Sequence, residues 1–258
     1  MTGLSEDCLS VDIYRPAGIS PDAKLPVVVW AFGGGFLVGA ASQYDGSNLV
    51  ARSVARGTPI IYVSHNYRLG LLGLPQGQEA DDRKILNLAL KDHLTALEWV
   101  QANIASFGGD KSKVTVFGQS SGAQIISALM FNSPLHKLSR AAILQSGSSN
   151  SLTSLRASQW ESSWQAFVSG VPSCNAIATS GKTLDCLSKA NTTELFAAVN
   201  LTLEKALTFG LTIDGPDGLL PDLPSTLLSE GHFAKMPFIT GTNLDEGTVP
   251  DKQSRLPA

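Results

Sequence analysis

A chain of 258 residues with 43% hydrophobic and 16% charged side chains is long enough to bury a sizeable core and too apolar to be disordered. Its net charge of −3, with a pI near 5.8, leaves no basic footprint for nucleic acid or an anionic membrane surface. The longest apolar run, residues 25–32, is too short to span a bilayer, so no membrane span is expected.

Residues 1–12 are polar and acidic, without the basic and apolar regions of a leader, so no signal peptide is expected in this chain. Leu9, Val11 and Ile13 alternate with Ser10, Asp12 and Tyr14, the period of a half-buried strand that Pro16 and Gly18 end. Residues 25–32 read as a strand buried on both faces, opening into Gly33-Gly34-Gly35-Phe36. Residues 58–64 form another such strand, and residues 71–83 read as a long loop. Leu90, Leu94, Leu97, Ile104 and Phe107 recur at helical spacing, predicting an amphipathic helix that stops at Gly108-Gly109.

Residues 114–117 are a short, buried, β-branched strand, followed by Gly118-Gln119-Ser120-Ser121-Gly122 and a helix-forming stretch at 123–130. A strand, a G-x-S-x-G turn and a helix together predict a nucleophile elbow, with Ser120 as the nucleophile. Such a turn needs small residues two before and two after the serine, because neighbouring backbone passes close to both. Residues 141–144 form the next strand, and 150–205 read as a helical insertion. Phe36, Trp160 and Trp164 suit either core packing or the lining of a pocket. Residues 216–224 are turn-rich, and 237–240 are a last strand leading to Glu246. Strands alternating with helices predict an α/β fold with a mostly parallel sheet, as one domain over residues 1–258.

Serine is a poor nucleophile until a base takes its proton, and the intermediate it forms needs donors for its oxyanion. Three glycines at the end of a buried strand leave backbone N–H groups unobstructed, as in an HGGG-type loop. A flexible turn or a phosphate cradle is the alternative. Val38 breaks a dinucleotide fingerprint, however, and Ala176 breaks a P-loop at Gly181-Lys182-Thr183. No metal-ligand spacing such as H-E-x-x-H or C-x-x-C occurs, and hydrolysis of this kind needs no cofactor. Cys174 and Cys186 close a short loop that suits a disulfide, leaving Cys8 unpaired. Asn191-Thr192-Thr193 and Asn200-Leu201-Thr202 are glycosylation sequons, or else a helix cap and a surface side chain. Cysteines and sequons together favour a secreted protein.

Ser5-Glu6-Asp7-Cys8-Leu9, Gly33-Gly34-Gly35-Phe36, Asn66-Tyr67-Arg68-Leu69-Gly70, Phe107-Gly108-Gly109-Asp110, the Ser120 elbow, Asp214-Gly215 and residues 241–247 follow one another along the chain. In these motifs and their order the chain resembles the type-B carboxylesterase family of α/β-hydrolases, which includes cholinesterases and fungal secreted lipases. The resemblance implies a serine esterase acting on a small-molecule or lipid ester. Ser120 would be its nucleophile, Gly34, Gly35 and Ser121 its oxyanion hole, and Glu246 the acid that orients a histidine. From the residues alone Glu246 also reads as a surface carboxylate in a turn. The resemblance further implies the Cys174–Cys186 disulfide and an ion pair between Arg68 and Asp110. Gln119 and Ser121 stand where the family commonly has Glu and Ala, a departure that removes no backbone donor.

The family's order along the chain is serine, acid, histidine. None of the twelve residues after Glu246 is a histidine, and His65, His93, His136 and His232 read as structural or surface residues. The sequence thus resembles a piece cut at both ends, expected to be weakly active or inactive as it stands. The alternative function is a non-catalytic, cholinesterase-like adhesion or ligand-binding protein.

Overall fold

The computed structural model describes residues 5–131, 134–151, 154–204 and 210–246. Among them are the strands β1 (Val11–Tyr14), β2 (Leu25–Ala31), β3 (Ile61–His65), β4 (Gly109–Gln119), β5 (Ala141–Gln145), β6 (Leu155–Arg156), β7 (Thr212–Ile213) and β8 (Phe238–Gly241). Six of these form one sheet in the order β1-β3-β2-β4-β5-β8. Only β1 runs antiparallel to its neighbour; the other pairs are parallel, so β2, β3, β4, β5 and β8 all end at the same edge. The continuous apolar runs anticipated for buried parallel strands are seen in β2 and β3, where Val27, Val29, Ile61 and Val63 are wholly buried. On β8, by contrast, Phe238 and Ile239 are 52% and 67% exposed.

Ten helices accompany the strands: α1 (Ser47–Ala55), α2 (Gly70–Gly73), α3 (Gly77–Asp82), α4 (Leu88–Asn103), α5 (Ser121–Leu129), α6 (Leu135–Leu138), α7 (Glu161–Ser169), α8 (Leu184–Leu187), α9 (Thr192–Glu204) and α10 (Pro224–Ser229), all among the described residues. In α4, Leu90, Leu94, Leu97 and Val100 form the buried face, and Gly108 in the left-handed region closes the 3-10 turn that follows. Every residue of α5 is buried, since it packs on β2, β4 and β5 and also meets α4. No helix among the described residues is long and apolar enough to cross a membrane.

Two expectations change. Residues 71–83 carry the rest of α2 and the whole of α3 rather than a loop. What holds α3 is distant in sequence: Glu79, nearly buried, accepts from Thr183 N and Oγ1 and from Leu184 N, and Glu161 accepts from Gln78 N. Arg68 pairs with Asp92, not with Asp110. Its Nη2 and Nε lie 2.6 and 2.9 Å from the Asp92 oxygens, and its backbone N donates to Oδ2 at 2.9 Å. The reason is topological. Arg68 follows the carboxyl end of β3, whereas Asp110 begins β4 at the opposite edge, where it holds Ser112 and Lys113.

The helical stretch after β6 has its own small core, built from Trp164, Phe167, Val168, Val171, Leu187, Leu195 and Ala198, with Leu71 reaching in from α2. Trp160 and Trp164 are each 4% exposed and Phe36 1%, so the core reading of these aromatics is the one realised. Asn191 Oδ1 accepts from Thr193 N at 2.8 Å, capping α9, and both sequon asparagines are exposed. Cys174 and Cys186 are disulfide-bonded across 12 positions. Closing so short a loop is worth about 3 kcal/mol on the chain-entropy model. Reduction is therefore expected to lower the melting temperature by roughly 6–12 °C. A thermal melt with and without a phosphine reductant measures it, and an unchanged midpoint would contradict the assignment of that stability to the bridge.

Candidate active site at the carboxyl edge of the sheet

The carboxyl edge of the parallel strands gathers the chemistry. Here β2 ends in the Gly33-Gly34-Gly35 loop, β4 in Ser120, β5 in Ser146-Gly147 and β8 in the turn bearing Glu246. Clefts outside strand carboxyl ends are the usual ligand sites of open α/β sheets.

Ser120 has φ 53° and ψ −123°, a conformation rare for a residue with a side chain. Its surroundings hold it there: Ser120 N donates to Gln145 O at 2.9 Å, and Ser120 O accepts from Gln124 N at 3.0 Å, the first turn of α5. The flanking glycines are required by contact. A Cβ on Gly122 would overlap Ala31 O, and one on Gly118 would lie 2.7 Å from the Gly122 carbonyl carbon. The side chain of Ser120 is thereby lifted off the end of β4, partly exposed.

The 33–35 loop lies against this elbow, close enough that a Cβ built on Gly33 would sit 3.0 Å from Ser120 Cβ. Gly34 has φ 126°, open in practice only to glycine, and its carbonyl accepts from Leu37 and Val38 N at 3.0 and 3.2 Å. No described residue accepts a hydrogen bond from the N–H of Gly34, Gly35 or Ser121. Ser121 opens α5, where the positive end of the helix dipole adds to its N–H. A hydroxyl presented beside free backbone donors can attack an acyl carbon and have the resulting oxyanion stabilised.

Glu246 reaches the same edge by a contact the sequence did not announce. Ser146, at φ 50°, donates its Oγ to Glu246 Oε1 at 2.6 Å, and Asn243 N donates to the same oxygen at 2.7 Å. The Ser146 hydroxyl, then the Asn243 N–H, hold the carboxyl below its usual range. Next to Ser146, a Cβ on Gly147 would lie 2.5 Å from Ser120 O, so the acid's anchor and the elbow are neighbours. Oε2 keeps no hydrogen-bond partner among the described residues.

The histidines lie apart from this arrangement. His65 and His93 are wholly buried and hydrogen-bonded to each other, with Nε2 of the first 2.9 Å from Nδ1 of the second. Burial pushes His65 down from 6.5 to about 4, against a smaller opposing pull from Asp92. His93 is lowered well below 6.5, first by burial and then by His65. His136 is exposed on α6, and the exposed His232 lies 3.4 Å from Glu230. A cleft of about 530 Å³ lined by Lys84, Lys91, Asp214 and Leu219 contains neither the elbow nor the glycine loop. Geometry at the strand ends is what marks the candidate site.

The family model described as the carboxylesterase family matches residues 1–254. The chain belongs to that family. It is 37% identical over 262 residues to Lipase 1 of Geotrichum candidum, covering 95% of this chain and 46% of that one. It is 40% identical to Secreted lipase 1 of Botryotinia fuckeliana, covering 95% and 44%. A solved PNB esterase superposes with a TM-score of 0.78 at 35% identity, covering 94% of this chain and 50% of its own. This carboxylesterase-family chain therefore spans about half the length of the relatives it matches, and its sheet and flanking helices are those of the α/β-hydrolase fold.

Proposed function

We propose that this chain carries the nucleophile half of a serine carboxylic ester hydrolase. In this reading Ser120 attacks the ester carbonyl, Gly34, Gly35 and Ser121 donate to the oxyanion, and an acyl-enzyme forms before water releases the acid. Glu246 is the acid of the triad, its Oε2 left free to accept from the histidine it would orient. The general base is not one of the four histidines of this chain. His65 and His93 are sealed in the core, and His136 and His232 are surface residues. The names of the relatives support a lipid or small-molecule ester as substrate and secretion as the destination.

The observation that carries the proposal is the strained backbone of Ser120 beside unpaired glycine N–H groups. A binding or adhesion module has no use for a serine held at a cost of about 1–3 kcal/mol in that conformation, which disfavours the non-catalytic reading. A fluorophosphonate probe tests it. Slow labelling is expected, lost in Ser120→Ala, with p-nitrophenyl ester turnover barely above buffer because the base is missing. Removing the histidine of such a triad costs roughly a millionfold in turnover. Brisk turnover abolished by His93→Ala or His232→Ala would overturn the assignment of the base, and labelling that survives Ser120→Ala would overturn the nucleophile.

A further inference from the structure

We infer that Tyr67 is a positioning residue that fixes the 33–35 loop in register with Ser120, an inference that rests on the ester hydrolase reading. The loop is clamped at both ends from one short segment. Tyr67 Oη donates to Phe32 O at 2.8 Å, immediately before Gly33, and Gly70 N donates to Phe36 O at 2.6 Å, immediately after Gly35. The Tyr67 ring also stacks on Phe32, with centroids 4.4 Å apart.

The clamp is itself held rigidly. Arg68 makes three hydrogen bonds to Asp92 of α4, one from its backbone and two from its guanidinium. Asn66 accepts from Ala41 N at 2.8 Å and donates to Cys8 O at 2.9 Å and Ser10 Oγ at 3.1 Å. Tyr67 thus stands between two anchored neighbours, 2% exposed, and its phenol is a strut from that frame to the loop's entrance. Glycines offer N–H groups without steric obstruction but also without any side chain to hold them in place. The order that oxyanion donors need must then come from outside the loop, and donors displaced by a fraction of an ångström lose most of their effect.

Tyr67→Phe keeps the ring and its stacking and deletes only the hydroxyl, which also meets the Ser121 side chain, so exchange at the loop is the readout that isolates the strut. Tyr62→Phe is the control, because Tyr62 is equally buried in the same core and hydrogen-bonds nothing in the loop. Two readouts apply: the rate of Ser120 labelling by a fluorophosphonate, and amide hydrogen exchange of peptides covering residues 33–38. Tyr67→Phe is expected to slow labelling about tenfold at unchanged half-saturation and to speed exchange at 33–38 about tenfold. Exchange in β4 and α5 should stay as it was, and Tyr62→Phe should leave both readouts unaltered. Unchanged exchange at 33–38 in Tyr67→Phe, or faster exchange spread evenly over the protein, overturns the inference. Should the unaltered chain take no probe, the hydrolase reading fails, and exchange at 33–38 alone decides the clamp.

Discussion

Gly122→Ala is expected to cost about 2–3 kcal/mol of stability and to reduce Ser120 labelling about a hundredfold or more. The added methyl would overlap Ala31 O and lie 2.6 and 2.7 Å from Ala31 C and Phe32 O. These are backbone atoms at the end of β2, a strand paired on one side with β3 and on the other with β4. A side chain in the way could swing aside, but a central strand bonded on both edges cannot. The start of α5 must yield instead, carrying Ser121 N and the strained Ser120 away from the 33–35 loop. Gly241→Ala serves as the control, since a Cβ there meets nothing within 4 Å. Melting curves and probe labelling of both variants decide the point. A Gly122→Ala protein that melts and labels like the unaltered one would mean that the elbow does not sit on β2 as described.

Acid should destabilise the fold in a window set by the buried histidine pair. His65 and His93 are neutral when folded and take up protons freely when unfolded, so the unfolded state binds more protons below about pH 6.5. Stability is therefore full above pH 6.5 and falls as the pH drops toward about 4, the value to which His65 is lowered. From His65 alone the loss amounts to about 3 kcal/mol, and His93 adds to it with the same sign. Asp92 opposes the shift of His65, but its charge is already committed to Arg68. Asp110, partly exposed and lowered to about 2 by Ser112 and Lys113, contributes only below about pH 4, so its window lies under that of the histidines. Thermal melts between pH 7.5 and 4.5 should show the midpoint falling by roughly 6–12 °C from His65, and further with His93. The double variant His65→Leu/His93→Leu should flatten that slope, and an equally steep slope in the variant would assign it to other groups.

The parts of the fold that sequence reveals are those whose causes are local or repetitive. The strands β2 and β3 are visible as apolar runs because a parallel strand buried on both faces needs nothing else, and β5 shows as a shorter apolar run. The face of α4 is visible in the spacing of Leu90, Leu94 and Leu97. The elbow's place at the end of β4 follows from five consecutive residues. What stays hidden depends on partners far away along the chain. The α3 helix exists because Glu79 meets Thr183, about a hundred residues later, and Arg68 chooses Asp92 because the sheet puts Asp110 at its other end. Ser146 resembles any serine after a strand until β8 brings Glu246 to its hydroxyl. The His65–His93 contact likewise joins a strand end to a helix face, and each residue alone carries no sign of the other.

The outermost strand of the sheet has a consequence of its own. Along β8, one side of the backbone is satisfied by β5, while Phe238 and Ile239 stand in solvent. Among the described residues no strand pairs with its other side, and apolar side chains on such a rim form a template that an extended segment, another copy of this chain included, can continue. Self-association that rises with concentration is the expected consequence, and gel filtration over a dilution series measures it.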